Sequence, residues 1–260
     1  MIKAVFFDVD GTLISHTNND IPASTLEALY ALRKEGILLF LATGRHISEL
    51  ARQPLHGFPF DGYITQTGQL CYDRDFHVLF ADPISQRDTE KLTAIFNEKR
   101  IPLVLINNKK LYINIVTDAV ITTQEAIDTP IPDIGEYHGE ELFGATVFGT
   151  KEEIAMVVSR LEGCKQSSWH SLASDIILSC SGKVQGIEKM MKHFNLRQQE
   201  IMSFGDSDND VDMVKYAAIG VAMGNGTTAV IDAANHTTSS VDEDGVRQAL
   251  LHFGLITPQA

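Results

Sequence analysis

Short apolar runs alternate with amphipathic helical patterns along the N-terminal third of the chain. Ala4–Phe7 reads as a buried strand, and Pro22 to Glu35 carries Leu26, Leu29 and Leu32 at helical spacing before Gly36. Ile37–Leu41 is the next strand-like run. Ser48–Gln53 suggests a short helix before Pro54, and Gly62–Thr65 a third strand. Buried runs separated by helices predict βαβ units and a parallel sheet. A hairpin follows, with Leu70–Tyr72 and His77–Phe80 flanking Asp73-Arg74-Asp75.

Near Pro83 the pattern changes. Ser85–Arg100 reads as a helix, and Leu103–Ile106 and Leu111–Val116 as paired strands around a turn at Asn107–Lys110. Past Thr117–Ala126 and the Pro130 and Pro132 stretch, Thr146–Phe148 is strand-like and Lys151–Leu161 helical. Ser168–Ala173 with Ile176–Cys180 suggests a second hairpin. From Lys183 the first pattern returns. Helices are expected over Ile187–Phe194, Val211–Tyr216, Thr228–Ala234 and Val246–Phe253, and strands over Ile201–Phe204 and Ile219–Ala222. The expected architecture is an α/β core with a Rossmann-like parallel sheet, formed by residues 1–81 and 183–260. An α+β cap domain is inserted at 82–182, a plausible domain size.

Of the 260 residues, 44% are hydrophobic and 21% charged, as in an ordinary globular protein. The net charge of −13 argues against a nucleic-acid backbone as partner. An anionic small molecule then needs a local positive site built from a metal, a lysine and backbone amides. The three cysteines, Cys71, Cys164 and Cys180, form no C-x-x-C pair, which points to a reducing compartment. No apolar stretch approaches the roughly 20 residues of a membrane span, and the first run is too short for a signal-peptide core. A cytoplasmic protein without a membrane partner is expected.

Four motifs carry candidate chemistry. Asp8-Val9-Asp10-Gly11-Thr12 follows the first strand directly, where ligands of an open parallel sheet bind. Gly11 permits a sharp departure, and residues two apart on an extended segment point the same way, so Asp8 and Asp10 can face one reacting group. Asp206-Ser207-Asp208-Asn209-Asp210 also follows a strand. An EF-hand loop fails there, because Val211 stands where the turn glycine belongs and Ala217 where the bidentate Glu belongs. A carboxylate cluster at a strand end suits a hard ion such as Mg²⁺. Thr43-Gly44-Arg45 offers a hydroxyl and backbone N–H groups to an anion. Lys183 precedes a helix at the expected domain junction, a position for a phosphate-binding cation. The nine histidines show no metal spacing; His46 is expected at the surface, and Trp169 in the core of the insert.

In this order, with an insert between the second and third motif along the chain, these residues resemble the haloacid dehalogenase (HAD) superfamily. The similarity is greatest to its Cof-type branch, the subclass IIB phosphatases with a large α/β cap. It spans essentially the whole chain. The resemblance implies a phosphomonoesterase acting on a small phosphorylated metabolite such as a sugar phosphate. Asp8 would attack phosphorus and form an aspartyl-phosphate, and Asp10 would serve as acid and then base. Mg²⁺ would be held by Asp8, Asp206 and the Asp10 carbonyl, with Asp210 behind them orienting Lys183 or a metal-bound water. Val9, Thr43, Gly44, Lys183 and Asn209 would hold the phosphoryl oxygens.

An acid at position 10 argues against a dehalogenase, which expels halide without a proton, and against transport ATPases, which resemble this core but have threonine there. A phosphomutase and a non-catalytic phospho-ligand sensor remain the alternatives. Many relatives have Asn-Gly-Ala after the third strand, where this chain has Gln66-Thr67-Gly68-Gln69.

Overall fold

A computed structural model describes residues 1–127 and 129–258. Their contacts divide into two compact units. One comprises Met1–Arg45, Glu49–Phe80 and the chain from Gly182 onward; the other comprises His46–Ser48 and Ala81–Ser181.

The first unit is built on an eight-stranded sheet. Its strands are β1 (Ala4–Phe7), β2 (Leu38–Ala42), β3 (Gly62–Thr65), β4 (Leu70–Asp73), β5 (Val78–Ala81), β11 (Ile201–Gly205), β12 (Ile219–Ala222) and β13 (His236–Thr237). Their spatial order is β13-β12-β11-β1-β2-β3-β4-β5. The pairs from β13 to β3 are parallel, and β4 returns antiparallel to β3. All four residues of β1 are buried, as both-face coverage of a parallel sheet requires. Around the sheet run α1 (Ala23–Lys34), α6 (Lys183–His193), α7 (Val211–Tyr216), α8 (Thr228–Ala233) and α9 (Gly245–His252), while the four-residue α2 (Ile47–Leu50) is divided between the two units. On one face Phe6 stacks on Phe40 with ring centroids 4.8 Å apart, and Phe194, just past α6, meets Phe40 edge-on at 5.0 Å. On the other, Phe7 stacks on Phe204 at 5.1 Å.

The second unit holds a five-stranded sheet in the order β7-β6-β8-β10-β9, antiparallel throughout. Its strands are β6 (Leu103–Ile106), β7 (Leu111–Ile113), β8 (Gly144–Phe148), β9 (Cys164–His170) and β10 (Ala173–Leu178). The helices α3 (Gln86–Glu98) and α5 (Lys151–Ser159) pack its core through Leu92, Ile95, Phe96, Ile154 and Val157, and α4 (Asp118–Ala126) adds Val120 to a second cluster. Both α3 and α5 begin on side-chain caps, Ser85 accepting from the Asp88 N–H and Thr150 from the Glu153 N–H. The Asn107–Lys110 turn forms as expected, its Asn107 Oδ1 accepting from the backbone N–H groups of Lys109 and Lys110.

The second hairpin departs from its expected place. β9 begins at Cys164 and the turn falls at residues 171–172, not between Ala173 and Ile176. As an edge strand β9 is half exposed and polar, so an apolar-run criterion passes over it. His46 is fully buried instead of at the surface. It sits in the second unit, where Nε2 meets the Asn107 carbonyl at 2.9 Å and Nδ1 the Ser48 hydroxyl at 2.7 Å. Trp169 is 37% exposed on β9, its indole N–H donating to Asp175. An amphipathic ring on an edge strand satisfies its polar end while its body covers Phe148.

The Phe6–Phe40–Phe194 cluster should carry a large share of the first unit's stability. Phe40→Ala is expected to lower the unfolding free energy by about 3–5 kcal/mol. Glu27→Ala, on the exposed side of α1, should change it by less than about 0.5 kcal/mol. Urea denaturation of both variants checks the contrast.

Candidate active site

Strand register brings the motifs to one edge of the sheet. Phe7 pairs with Phe204 on one side and Leu41 on the other, so Asp8, Asp206 and Thr43 all emerge just beyond the same strand ends. The Asp8 N–H donates to the Phe204 carbonyl at 3.0 Å, which carries the β1 ladder one residue further. The chain then turns. The Val9 carbonyl accepts from the N–H groups of Leu13 and Ile14, and Gly11 adopts φ +79°. A Cβ at Gly11 would stand 2.8 Å from Asp206 Cγ, so the bare backbone is what lets Asp206 approach. The Thr12 hydroxyl donates to Asp206 Oδ1 at 2.9 Å. Asn225 closes the turn from the C-terminal side, donating to the Gly11 carbonyl at 2.8 Å and accepting from the Val241 N–H at 2.9 Å.

Lys183 is the first residue of α6 and is 2% exposed. Its Nζ lies 2.5 Å from Asp8 Oδ1 and 2.5 Å from Asp210 Oδ1. The helix comes this close because Gly186, one turn on, has no side chain to meet the Gly68 Cα, which a Cβ would approach to 3.0 Å. Asp210 uses its other oxygen to accept from the N–H groups of Asp206 (3.1 Å) and Ser207 (3.0 Å) and from the Ser207 hydroxyl (3.1 Å). It thereby fixes both the lysine and the turn after β11.

Asp8, Asp206 and Asp210 are all buried, and a carboxylate oxygen from each lies within 4.8 Å of the others. One ammonium faces three carboxylates, so up to two negative charges remain uncompensated away from water. The electrostatics follow. Burial raises Asp8 well above the ordinary carboxylate range; Asp210, Asp206 and Asp10 add to the rise and Lys183 opposes it. Burial and Asp210 push Asp206 up to about 6 against the opposing pull of Thr12 and Lys183. Burial alone would discharge Lys183, but Asp210 and Asp8 outweigh it and its pKa rises. An all-oxygen donor set with surplus negative charge fits a hard divalent cation.

Asp10 stands slightly apart. Its side chain is 32% exposed and takes a bidentate grip from Arg45, Nε to Oδ2 at 2.7 Å and Nη2 to Oδ1 at 2.8 Å. Thr43 is buried; its N–H donates to the Ile64 carbonyl at 2.9 Å and its Oγ1 accepts from the Arg45 N–H at 3.1 Å. Gly44 beside it is partly exposed. Asn209 is exposed, with Oδ1 accepting from the Ser207 hydroxyl at 2.8 Å. Three residues of this constellation escape a motif-level inspection: Thr12, the Arg45 side chain and Asn225. The first two sit inside motifs already singled out. Asn225 is signalled only by its flanking Gly224 and Gly226 after β12.

Known proteins resemble this chain over nearly its whole length. A family model described as haloacid dehalogenase-like hydrolase matches residues 5–250. The chain belongs to that family. A Bacteroides thetaiotaomicron phosphatase of the HAD superfamily has a similar structure, with a TM-score of 0.88 and 31% identity over 98% of this chain and 96% of the other. A subclass IIB sugar phosphatase superposes with a TM-score of 0.82 at 33% identity, over 98% of this chain and all of the other (100%). Among curated relatives, YkrA, a provisional phosphatase of Bacillus subtilis (strain 168), is 28% identical, over 98% of each chain. This HAD hydrolase is accordingly a phosphatase of the Cof-type, subclass IIB group. No helix among its described residues is long and apolar enough to cross a membrane.

The raised Asp206 gives a pH signature. Well below about pH 4 the Asp206 carboxyl is protonated in both folded and unfolded chains, and it makes no difference to stability. As pH rises through about 6 the folded HAD hydrolase ionises Asp206 against burial, whereas the unfolded chain has already done so freely. The metal-free protein should therefore lose stability from pH 4.5 to pH 7, and less so as Asp206→Asn. Thermal unfolding in EDTA at both pH values checks this; equal slopes for the two proteins would refute it.

Proposed function

We propose that this phosphatase is a Mg²⁺-dependent phosphomonoester hydrolase acting on a small phosphorylated metabolite, with sugar phosphates the first class to test. The observation that carries the reading is the Asp8 carboxylate, buried at a strand end and held 2.5 Å from Lys183 Nζ. Asp8 is the nucleophile: its oxygen attacks phosphorus, the bond to the leaving oxygen breaks, and an aspartyl-phosphate forms. Asp10 gives its proton to the leaving oxygen, so an alcohol departs and Asp10 is left as a carboxylate. That carboxylate then takes a proton from water, the hydroxide attacks phosphorus, and the bond to Asp8 breaks, releasing phosphate.

Lys183 holds a phosphoryl oxygen while keeping Asp8 oriented, and Thr43, whose Oγ1 already accepts from the Arg45 N–H, donates its hydroxyl proton to another. The backbone at Val9, Gly44 and Asn209 complete the phosphate contacts. Mg²⁺ would be held by Asp8, Asp206 and the Asp10 carbonyl, and would offset repulsion between carboxylate and phosphate. Asp210, with both oxygens already engaged, orients Lys183 from behind. Residues 82–182 are proposed as the cap domain of this subclass.

The relatives support a small substrate. One similar structure is a sugar phosphatase; a Bacillus subtilis relative, 25% identical, is a 5-amino-6-(5-phospho-D-ribitylamino)uracil phosphatase, and an Escherichia coli relative, 26% identical, a pyridoxal phosphate phosphatase.

Phosphate release from p-nitrophenyl phosphate and a panel of phosphorylated metabolites is expected with Mg²⁺ and not with EDTA. Asp8→Asn should reduce it to background, and Asp10→Asn should lower kcat on sugar phosphates by about 10²–10⁴-fold. Release that persists in Asp8→Asn would sink the assignment of the nucleophile. Retention of phosphate in a sugar bisphosphate would identify a mutase instead.

A further inference from the structure

We infer that Arg45 is the positioning residue for the proton-transferring Asp10. This rests on the two-carboxylate reading above and adds to it a third side chain, which sets where the Asp10 carboxyl points. A proton donor must be aimed at one atom, and a partly exposed carboxyl without a partner rotates readily about its last torsion. Asp10 is 32% exposed, and among the hydrogen bonds of the described side chains its carboxylate oxygens are met by Arg45 alone, through Nε at 2.7 Å and Nη2 at 2.8 Å. Two parallel donors on one planar guanidinium fix the plane of the carboxylate as well as its position. Each oxygen keeps a further lone pair, so the grip leaves Asp10 able to face a reacting group.

Arg45 is itself held firmly enough to act as a reference. Its N–H donates to Thr43 Oγ1 at 3.1 Å, and its carbonyl accepts from the Gln66 N–H at 3.2 Å. Gln66 and Thr67 both adopt left-handed backbone, at φ 47° and 51°. That conformation is strained for a residue with a side chain and persists where the surroundings enforce it. Here it turns the Gln66 N–H onto the Arg45 carbonyl, while the Thr67 N–H takes the Thr43 carbonyl at 3.1 Å. Gln66 and Thr67 thus support the arginine that orients Asp10. The Arg45 side chain is 19% exposed.

The test exploits leaving-group chemistry. p-Nitrophenolate is a weak base and departs with little need of a proton. Phenolate, whose conjugate acid has a pKa of about 10 like a tyrosine side chain, needs one. Arg45→Met should therefore lower kcat on phenyl phosphate at least about tenfold more than on p-nitrophenyl phosphate, the selective loss expected when an acid is misplaced. Asp10→Asn should show the same bias, and Asp10→Asn combined with Arg45→Met should be no worse than Asp10→Asn alone. Arg45→Lys should keep the bias, because an ammonium cannot grip both oxygens, and added guanidinium should partly reverse it in Arg45→Ala.

Equal losses on the two esters, a loss confined to KM, or additive losses in the double variant would overturn the inference and make Arg45 a substrate-binding or structural residue. Thermal unfolding of each variant separates misfolding from mispositioning, since a folding defect lowers both activities alike. Failure of the nucleophile assignment would show independently, as turnover by Asp8→Asn with Arg45 intact.

Discussion

A buried lysine between two buried carboxylates organises this molecule. Lys183 reaches Asp8 and Asp210 at 2.5 Å each, and none of the three is appreciably exposed. Taking such charges from water is expensive, and removing one partner strands the others, so the group stays only where the surrounding structure holds it. Much of the first unit does so. β1 and β11 end in register beside each other, α6 begins at the lysine, and Gly186 lets that helix close on Gly68. The turn after β11 is tied by Asp210 itself.

The charge count within this group drives the proposed chemistry. Burial comes first in holding protons on Asp8 and Asp206 to higher pH than ordinary carboxyls, and the shortage of positive charge among three carboxylates and one ammonium adds to it. The same shortage is what a bound divalent cation would offset, leaving Lys183 to face an anionic phosphoryl oxygen. Asp10 is kept out of this cluster by Arg45 and remains partly solvated. Two neighbouring carboxylates thereby acquire different surroundings, one buried against a cation and one partly exposed beside a guanidinium. That separation suits a nucleophile and a proton carrier on one short segment.

The core was legible because a parallel sheet buried on both faces writes itself as continuous apolar runs. Of the parallel strands, Ala4–Phe7, Gly62–Thr65 and Ile219–Ala222 have the bounds expected from pattern. β9 and β13 were not legible: the first is a polar edge strand and the second only two residues long, so neither leaves a periodic signal. The strand-end motifs showed where Asp8, Asp206 and Thr43 would emerge, since position after a strand is a one-dimensional property. Contacts made across the fold are not. The Arg45 fork on Asp10, the Thr12 bond to Asp206 and the Asn225 brace join residues up to 214 positions apart. His46 misled for the same reason, a polar ring buried because distant partners satisfy it.

The most direct test of the central claim is a rapid acid quench of the Mg²⁺-supplemented enzyme during turnover of a substrate carrying radiolabelled phosphate. Label retained on the protein, released by hydroxylamine as expected of an acyl phosphate, and lost in Asp8→Asn is the predicted result. Steady turnover with no labelled protein at any quench time, or label that survives Asp8→Asn, would contradict Asp8 as the group that takes the phosphoryl.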